Sequence, residues 1–255
     1  MDKTASKLHQ YTLGVVAHLL LLLAWYLSVH VGDVPKYILP SPVDTFRALG
    51  VADYGWWAAT LVTGAEIFGG YALALAVGVV LALLFTWSKS FESLMLPLLV
   101  TLNMIPKVAI GPLIIVWFSY GVLTNTMMAF SIAVFPILLT TARGLREIEP
   151  DLLDLVRSLR GSRWQLFTKI QLPGSLPYIF AGMKVAAILA VAGAIVGEFL
   201  GSDKGLGYLM LQVQVTLDTP AMFMAVILIT LLGMILYGLV LMMERLLVPK
   251  DARVA

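Results

Sequence analysis

The chain has 255 residues, 60% hydrophobic and 13% charged, with a net charge of +2; soluble domains carry about 25% charged residues, so this composition describes a polytopic membrane protein. The small net charge, with no aromatic-laced basic patch, excludes a nucleic-acid surface. The absence of cysteine excludes thiolate catalysis, disulfides and thiolate-bound metal.

In chain order, the first apolar run is Tyr11 to Val31. It matches the ~20 residues needed to span hydrocarbon and exceeds the ~7–15 of a signal-peptide core. No small-x-small cleavage site follows closely, so it reads as a retained transmembrane helix. The histidines (His9, His18, His30) lie near this end without carboxylates at ligand spacing, and no metal site is expected. The segment 32–56 holds Pro35, Pro40 and Pro42, which disfavour helix and suggest an extended link turning into a short helix. Further apolar runs cover 57–87, 94–118, 124–142, 174–200 and 219–243, each near or above the ~18-residue threshold. Six spans are therefore expected. For 94–142 to cross twice, Ser119-Tyr120-Gly121 must be a tight turn.

Charge orients the six spans. One side holds Lys3, Lys7, Lys89, Arg143, Arg146, Arg157, Arg160, Arg163, Lys169, Arg245, Lys250 and Arg253; the other holds only Lys36, Arg47 and Lys204. The positive-inside rule then puts both termini in the cytoplasm. Segment 147–173 falls on the same side. No internal repeat is visible and no soluble domain has room to fold, so residues 1–255 read as one transmembrane domain. Its N-terminal helix and outer loop cover 1–56, and a five-helix core covers 57–247.

Segment 147–173 carries eight charges: Glu147, Glu149, Asp151, Asp154, Arg157, Arg160, Arg163 and Lys169. Pro150 suits the first turn of a helix. Leu152, Leu155, Val156 and Leu159 recur at helical spacing. Asp151 and Asp154 sit toward the start and Arg157 and Arg160 toward the end, complementing the helix dipole. Gly161 is a natural stop. Ser162 with Gln165 forms a capping box for a second short helix, "RWQLFTKI", which Pro173 closes. Such an amphipathic pair either lies on headgroups with its arginines on anionic lipid or fits a groove on a soluble partner. Anionic lipid would repel the leading acids.

Residues 154–173 resemble the cytoplasmic signature of permease subunits of ATP-binding-cassette importers: E-A-A, three residues, G, nine residues, I-x-L-P. Asp154, Leu155 and Val156 take the first three places, and Ile170, Leu172 and Pro173 the last. Arg160 stands at the glycine position, with Gly161 one residue later. The likeness extends over nearly the whole chain and is closest to the nitrate, sulfonate, taurine and pyrimidine-precursor type. It includes "LPSP" (39–42), Thr63, Glu66, Gly70 and Tyr71, "PLIIVWFSYG" (112–121), "FPILLTTARGL" (135–145), "SRWQLF" (162–167) and "GEFLGSDKGLGYLM" (197–210).

The resemblance implies an all-α type I importer fold in a bacterial inner membrane, with a coupling helix between the fourth and fifth spans. Asp151, Asp154, Leu155, Arg157, Ser158, Arg160, Gly161, Ser162, Arg163 and Trp164 would meet a cytoplasmic ATPase dimer. That ATPase would hold ATP and Mg, leaving no cofactor and no catalysis in this chain. A solute-binding protein outside and a second copy of the permease would complete the assembly.

Within the spans, ionisable residues are costly and usually face a cavity or a partner. Glu66, Lys107, Lys184 and Glu198 stand out. Pro97, Pro106 and Pro112 suggest a span kinked or interrupted near Lys107. Asn103 lies one helical turn before Lys107 on the same face. That face either lines the translocation path, or Lys107 snorkels or bridges to Glu66 or Glu198. Glu198 and Tyr208 are candidate gate elements; equally, Gly201, Gly205 and Gly207 make a simple exit loop. The small residues of the fifth span (Gly182, Ala186, Ala190, Gly193, Ala194 and Gly197 among them) permit close packing within one subunit or across a dimer.

A permease subunit is the leading reading, and the chain has no G-x-x-x-x-G-K-[ST] loop of its own. A secondary carrier or channel would explain the spans but leave segment 147–173 without a purpose, and it calls for two transmembrane halves that are not visible. An intramembrane enzyme would need clustered catalytic groups at spanning depth, which the sequence does not supply.

Overall fold

The structure is a computed structural model that describes residues 3–147, 152, 156 and 158–249. Its helices are α1 (Lys3–Val31), α2 (Pro42–Arg47), α3 (Trp56–Trp87), α4 (Lys89–Met104), α5 (Lys107–Phe118), α6 (Val122–Gly144), α7 (Arg163–Gly201), α8 (Leu206–Val215) and α9 (Thr219–Leu247). No strand occurs among the described residues. Five of these helices, α1, α3, α6, α7 and α9, are long and apolar enough to cross a membrane, and the bent pair α4–α5 brings the number to six if it counts as one span.

The break falls where the prolines around Lys107 led an interruption of the 94–118 run to be expected. α4 and α5 meet at 100°, because Pro106 lacks an N–H and pushes the preceding residue out of the helical region. Ile105 (ψ 126°) and Pro106 (ψ 119°) are both extended. Ser119 (φ +66°) and Gly121 (φ +125°) then make the tight turn into α6. A correction concerns Pro173, expected to close a short helix. The helix instead runs on from Arg163 to Gly201. Residues Phe167–Gln171 widen into a π turn, where Leu172 N–H donates to the Phe167 carbonyl, five residues back. The wider turn gives the proline ring room against the carbonyls behind it.

The chain forms two compact units. The first comprises Met1–Trp56 with Leu209–Leu228. Ser41 caps α2 by accepting the Asp44 N–H at 3.1 Å, with Pro42 at the first helical position. Trp25 Nε1 donates to the Pro40 carbonyl at 2.9 Å, and its ring lies 5.7 Å from that of Phe223. Thr219 Oγ1 donates to the Tyr37 carbonyl at 2.7 Å. Tyr54 donates its hydroxyl to Asp218, whose other carboxylate oxygen accepts the Ala221 N–H at 3.2 Å.

The second unit comprises Trp57–Tyr208 with Ile229–Ala255. Its core joins Ile67, Tyr71 and Ala74 of α3 to Ala129, Ala133 and Ile137 of α6. From α7 come Phe180, Met183, Ala186, Ala190 and Ala194, and from α9 Leu236 and Val240. Lipid is as apolar as these side chains, so the contacts stabilise by close packing rather than by escape from water. Small residues make that packing possible. A Cβ on Gly193 would fall 2.6 Å from Ala129 Cα, and one on Gly197 would fall 2.9 Å from Asn125 Cα. The small-residue stripe of α7 therefore packs within this subunit, against α6. Where α3 ends and α4 begins, a second core cluster gathers Phe85, Leu138, Ala142, Leu145 and Phe167. There Arg146 and Glu92 pair at 2.5 Å.

Candidate functional site

Four of the expected coupling residues, Asp151, Asp154, Leu155 and Arg157, lie outside the described residues. The rest form an exposed elbow. Gly161 N–H donates to the Val156 carbonyl at 2.9 Å, closing a helix C-terminus in the Schellman manner, which requires a left-handed residue one place earlier. Arg160 occupies that place with φ +52°. The resemblance puts glycine there, and the arginine adopts the glycine's conformation at a steric cost of about 1–2 kcal/mol. Ser162 then starts α7 through a complete capping box. Its Oγ accepts the Gln165 N–H at 3.2 Å, and its N–H reaches Gln165 Oε1 at 2.8 Å.

Leu159 and Trp164 are 73% and 67% exposed; Ser158, Arg160 and Arg163 are exposed beside them. An exposed tryptophan beside guanidinium groups matches the composition of interface hot spots. The elbow is rooted in the bundle. The Trp164 ring lies 5.8 Å from that of buried Phe167, which lies 5.9 Å from that of Trp87 at the end of α3. On the approach from α6, Arg143 Nε donates to Glu147 at 2.9 Å, and this bond holds the Glu147 carboxyl below the usual carboxylate range.

At the broken helix, Asn103 and Lys107 line one cavity of about 350 Å³, together with Leu99 of α4 and Phe130 and Val134 of α6. They do not share a continuous helical face, since the chain bends between them. Lys107 Nζ donates to the Leu102 carbonyl at 2.9 Å, binding a carbonyl that the end of α4 leaves open.

Glu66 and Glu198 are fully buried and do not line that cavity. Both lie where α3 and α6 begin and α7 ends. Asn125 Nδ2 of α6 donates to Glu66 Oε1 at 2.8 Å. Thr63 of α3 donates its hydroxyl to Glu198 Oε1 at 2.5 Å. Gly207 N–H, and Tyr208 N–H at 3.3 Å, donate to Glu198 Oε2, while Leu206 N–H donates to Thr63 Oγ1 at 2.8 Å. Glu198 thereby caps α8, where the helix dipole favours negative charge. Gly205 (φ +103°) turns the chain tightly over the carboxylate, and a Cβ there would collide with it.

The ion pair that does form inside the bundle joins Lys184 of α7 to Glu244 of α9 at 3.0 Å. Glu244 was not singled out in the sequence, and Asn125 only as a turn former beside Gly121. The one visible signal was a carboxylate at the end of one apolar run and an amide at the start of another.

Residues 74–249 match the family described as binding-protein-dependent transport system inner membrane component. A probable ABC transporter permease protein of Haemophilus influenzae is 35% identical over 217 residues, covering 85% of this chain and 89% of that protein. The formylaminopyrimidine transport permease ThiX of Halalkalibacterium halodurans is 31% identical over 91% of this chain and 92% of its own length. The riboflavin transport system permease RibX of Chloroflexus aurantiacus is 35% identical over 93% and 89% respectively. A chain of the MetNI methionine ABC transporter in an inward-facing conformation superposes with a TM-score of 0.56 at 18% identity, covering 72% of this chain and 94% of that one. At that identity it establishes the type I importer fold alone. On the family match and these permease relatives, the chain belongs to the family of binding-protein-dependent transport system inner membrane components, the permease subunits of ABC transporters.

Proposed function

We propose that this permease imports a small polar or anionic solute as one of two identical copies, driven by a cytoplasmic ATPase dimer that carries ATP and Mg. Both termini and the elbow face the cytoplasm, following the distribution of lysine and arginine. A periplasmic or lipid-anchored binding protein delivers the solute. Relatives named for formylaminopyrimidine and riboflavin transport support a polar heteroaromatic compound, and one named for aliphatic sulfonates supports an anion. Asn103 and Lys107 line the path, where an ammonium attracts anionic or electron-rich groups. Glu66, with Glu198 and Tyr208 at the start of α8, forms the outer gate.

The observation that carries this reading is the elbow: a capped turn exposing Leu159, Arg160 and Trp164, joined through Phe167 to the packed ends of α3 and α6. Residues 150–164 sit in a cleft of the ATPase, and closure of the nucleotide sites pushes on them. The natural absence of cysteine allows a direct test. Single Leu159→Cys and Trp164→Cys proteins, in the assembled transporter, should cross-link to the ATPase. Cross-linking to lipid reagents alone would overturn the docking.

A further inference from the structure

Between them, α7 and α9 leave an open groove of about 530 Å³, with Ile188 and Val191 on one wall and Ile229, Gly233, Gly238 and Leu241 on the other. Ile188, and Met234 which also borders it, are 64% and 63% exposed. The groove therefore lies on the surface of the chain and not in its core.

Glycine opens this groove. A Cβ on Gly233 would stand 3.2 Å from Val191, whereas one on Gly238 would meet nothing within 4 Å. Glycine inside a helix costs about 1 kcal/mol relative to alanine. In a membrane that cost is offset when the missing side chain lets another apolar group pack closely. Among the described residues nothing approaches Gly238 in this way, so the packing group comes from outside the chain.

Shape and charge decide what fits. Ile229 and Leu241 are twelve helical steps apart, about 18 Å at about 1.5 Å each. The groove then has a mean cross-section of about 30 Å², where a helix about 10 Å across presents roughly 80 Å². It is too narrow for a second helix and wide enough for one hydrocarbon chain. Met234, Gly238, Leu241 and Arg245 follow at i, i+4, i+7 and i+11, on one face of α9. The groove thus leads to the exposed Arg245. With 29 residues α9 exceeds the ~20 that span hydrocarbon, so its last turn, which carries Arg245, reaches the headgroups. Lys184 and Glu244 lie at the same end, one helical turn from Ile188 and Leu241, and neutralise each other at 3.0 Å. Arg245 supplies the net positive charge there.

We propose that the α7–α9 groove binds an anionic phospholipid, one acyl chain lying against Gly233 and Gly238 and the phosphate meeting Arg245. A basic residue at the mouth of an apolar cleft between spanning helices is the chemistry that selects such headgroups. The site is separate from the Lys107 cavity and from the elbow.

Photoreactive lipids with a diazirine in the acyl chain test it, on the purified full chain in phosphatidylcholine nanodiscs doped with probe phosphatidylglycerol or probe phosphatidylcholine. Mass spectrometry should find the phosphatidylglycerol probe on Ile188, Val191, Met234 or Leu241 about fivefold more often than the phosphatidylcholine probe, the effect of one basic residue at a lipid surface. Arg245→Gln should abolish that preference and keep the adducts. Gly238→Leu, whose side chain enters open space, should remove most groove adducts and leave those on α1 unchanged. Equal labelling by the two probes in the parent, or groove adducts untouched by Gly238→Leu, would overturn the proposal. So would a benzoylphenylalanine replacing Met234 that cross-links to a second copy of the chain and not to lipid. The parent comparison decides even where a variant fails to fold.

Discussion

Lys184 Nζ lies 3.0 Å from Glu244 Oε1, joining α7 to α9 with side chains only 17% and 5% exposed. A charge in such a place is held there by its partner, so removing one side is worse than removing both. Lys184→Met alone, or Glu244→Met alone, should cost about 3 kcal/mol. The double variant should return to within about 1 kcal/mol of the parent, because methionine fills similar volume without a charge. Thermal unfolding of all four proteins in one detergent closes the cycle. Additive losses would show that the two residues act separately.

Arg160 should be improvable. Replacing it with glycine removes the left-handed penalty of about 1–2 kcal/mol, offset in part by the greater freedom of glycine in the unfolded chain, about 0.4–1 kcal/mol. Arg160→Gly should therefore slow amide hydrogen exchange at Gly161, whose N–H closes the turn on Val156. If the guanidinium contributes to the partner interface, the same variant will bind the ATPase more weakly despite a firmer turn. Faster exchange at Gly161 would contradict the strain.

Trp164 and Phe167 are neighbours that should fail in different ways. Phe167 is buried in the cluster with Phe85 and Leu138, so Phe167→Ala should cost about 3 kcal/mol of stability. Trp164→Ala removes an exposed ring and should move stability by no more than about 0.5 kcal/mol. Its expected effect is on ATPase affinity, a loss of about tenfold or more. Melting curves paired with a pull-down titration separate the two, and a destabilised Trp164→Ala with unchanged affinity would refute this division of labour.

The Tyr54–Asp218 bond should leave a mark at alkaline pH. Donation to Asp218 raises the Tyr54 hydroxyl from 10.0 to about 12. The folded form thus favours the neutral phenol. Its contribution is complete below about pH 10 and is lost as pH rises toward 12. The melting temperature of the parent should exceed that of Tyr54→Phe at pH 8, with the gap narrowing between pH 10 and 12. A gap constant across that range would show that the hydroxyl is not the source.

Local signals carried well from sequence to structure, and pairings across the chain did not. Ser162 and Gln165 form both bonds of their box, and Ser119 to Gly121 makes its turn, because these depend only on neighbours a few residues apart. Proline was ambiguous. Pro106 breaks its helix through 100°, whereas Pro173 is absorbed by a π turn, and the outcome depends on whether the preceding turn has room to widen. Lys184 was recognisable as a costly charge, but its partner lies sixty residues away on α9, and no helical periodicity links positions so far apart. The same holds for Glu66, whose amide partner Asn125 belongs to α6. The burial of Glu66 and Glu198 away from the Lys107 cavity is likewise a product of packing.

The uninterrupted α7 is longer than one bilayer crossing requires. It runs for 39 residues, which at about 1.5 Å each is roughly 58 Å, close to twice the ~30 Å of bilayer hydrocarbon. Trp164 stands near one end of this single shaft and Glu198 near the other. A tilt imposed at the indole end sweeps the carboxylate end through an arc without any intermediary, and the only soft joint along the way is the widened turn at Phe167–Gln171. Stiffening that joint should tighten mechanical communication between the two faces of the membrane, and loosening it should let each face move on its own.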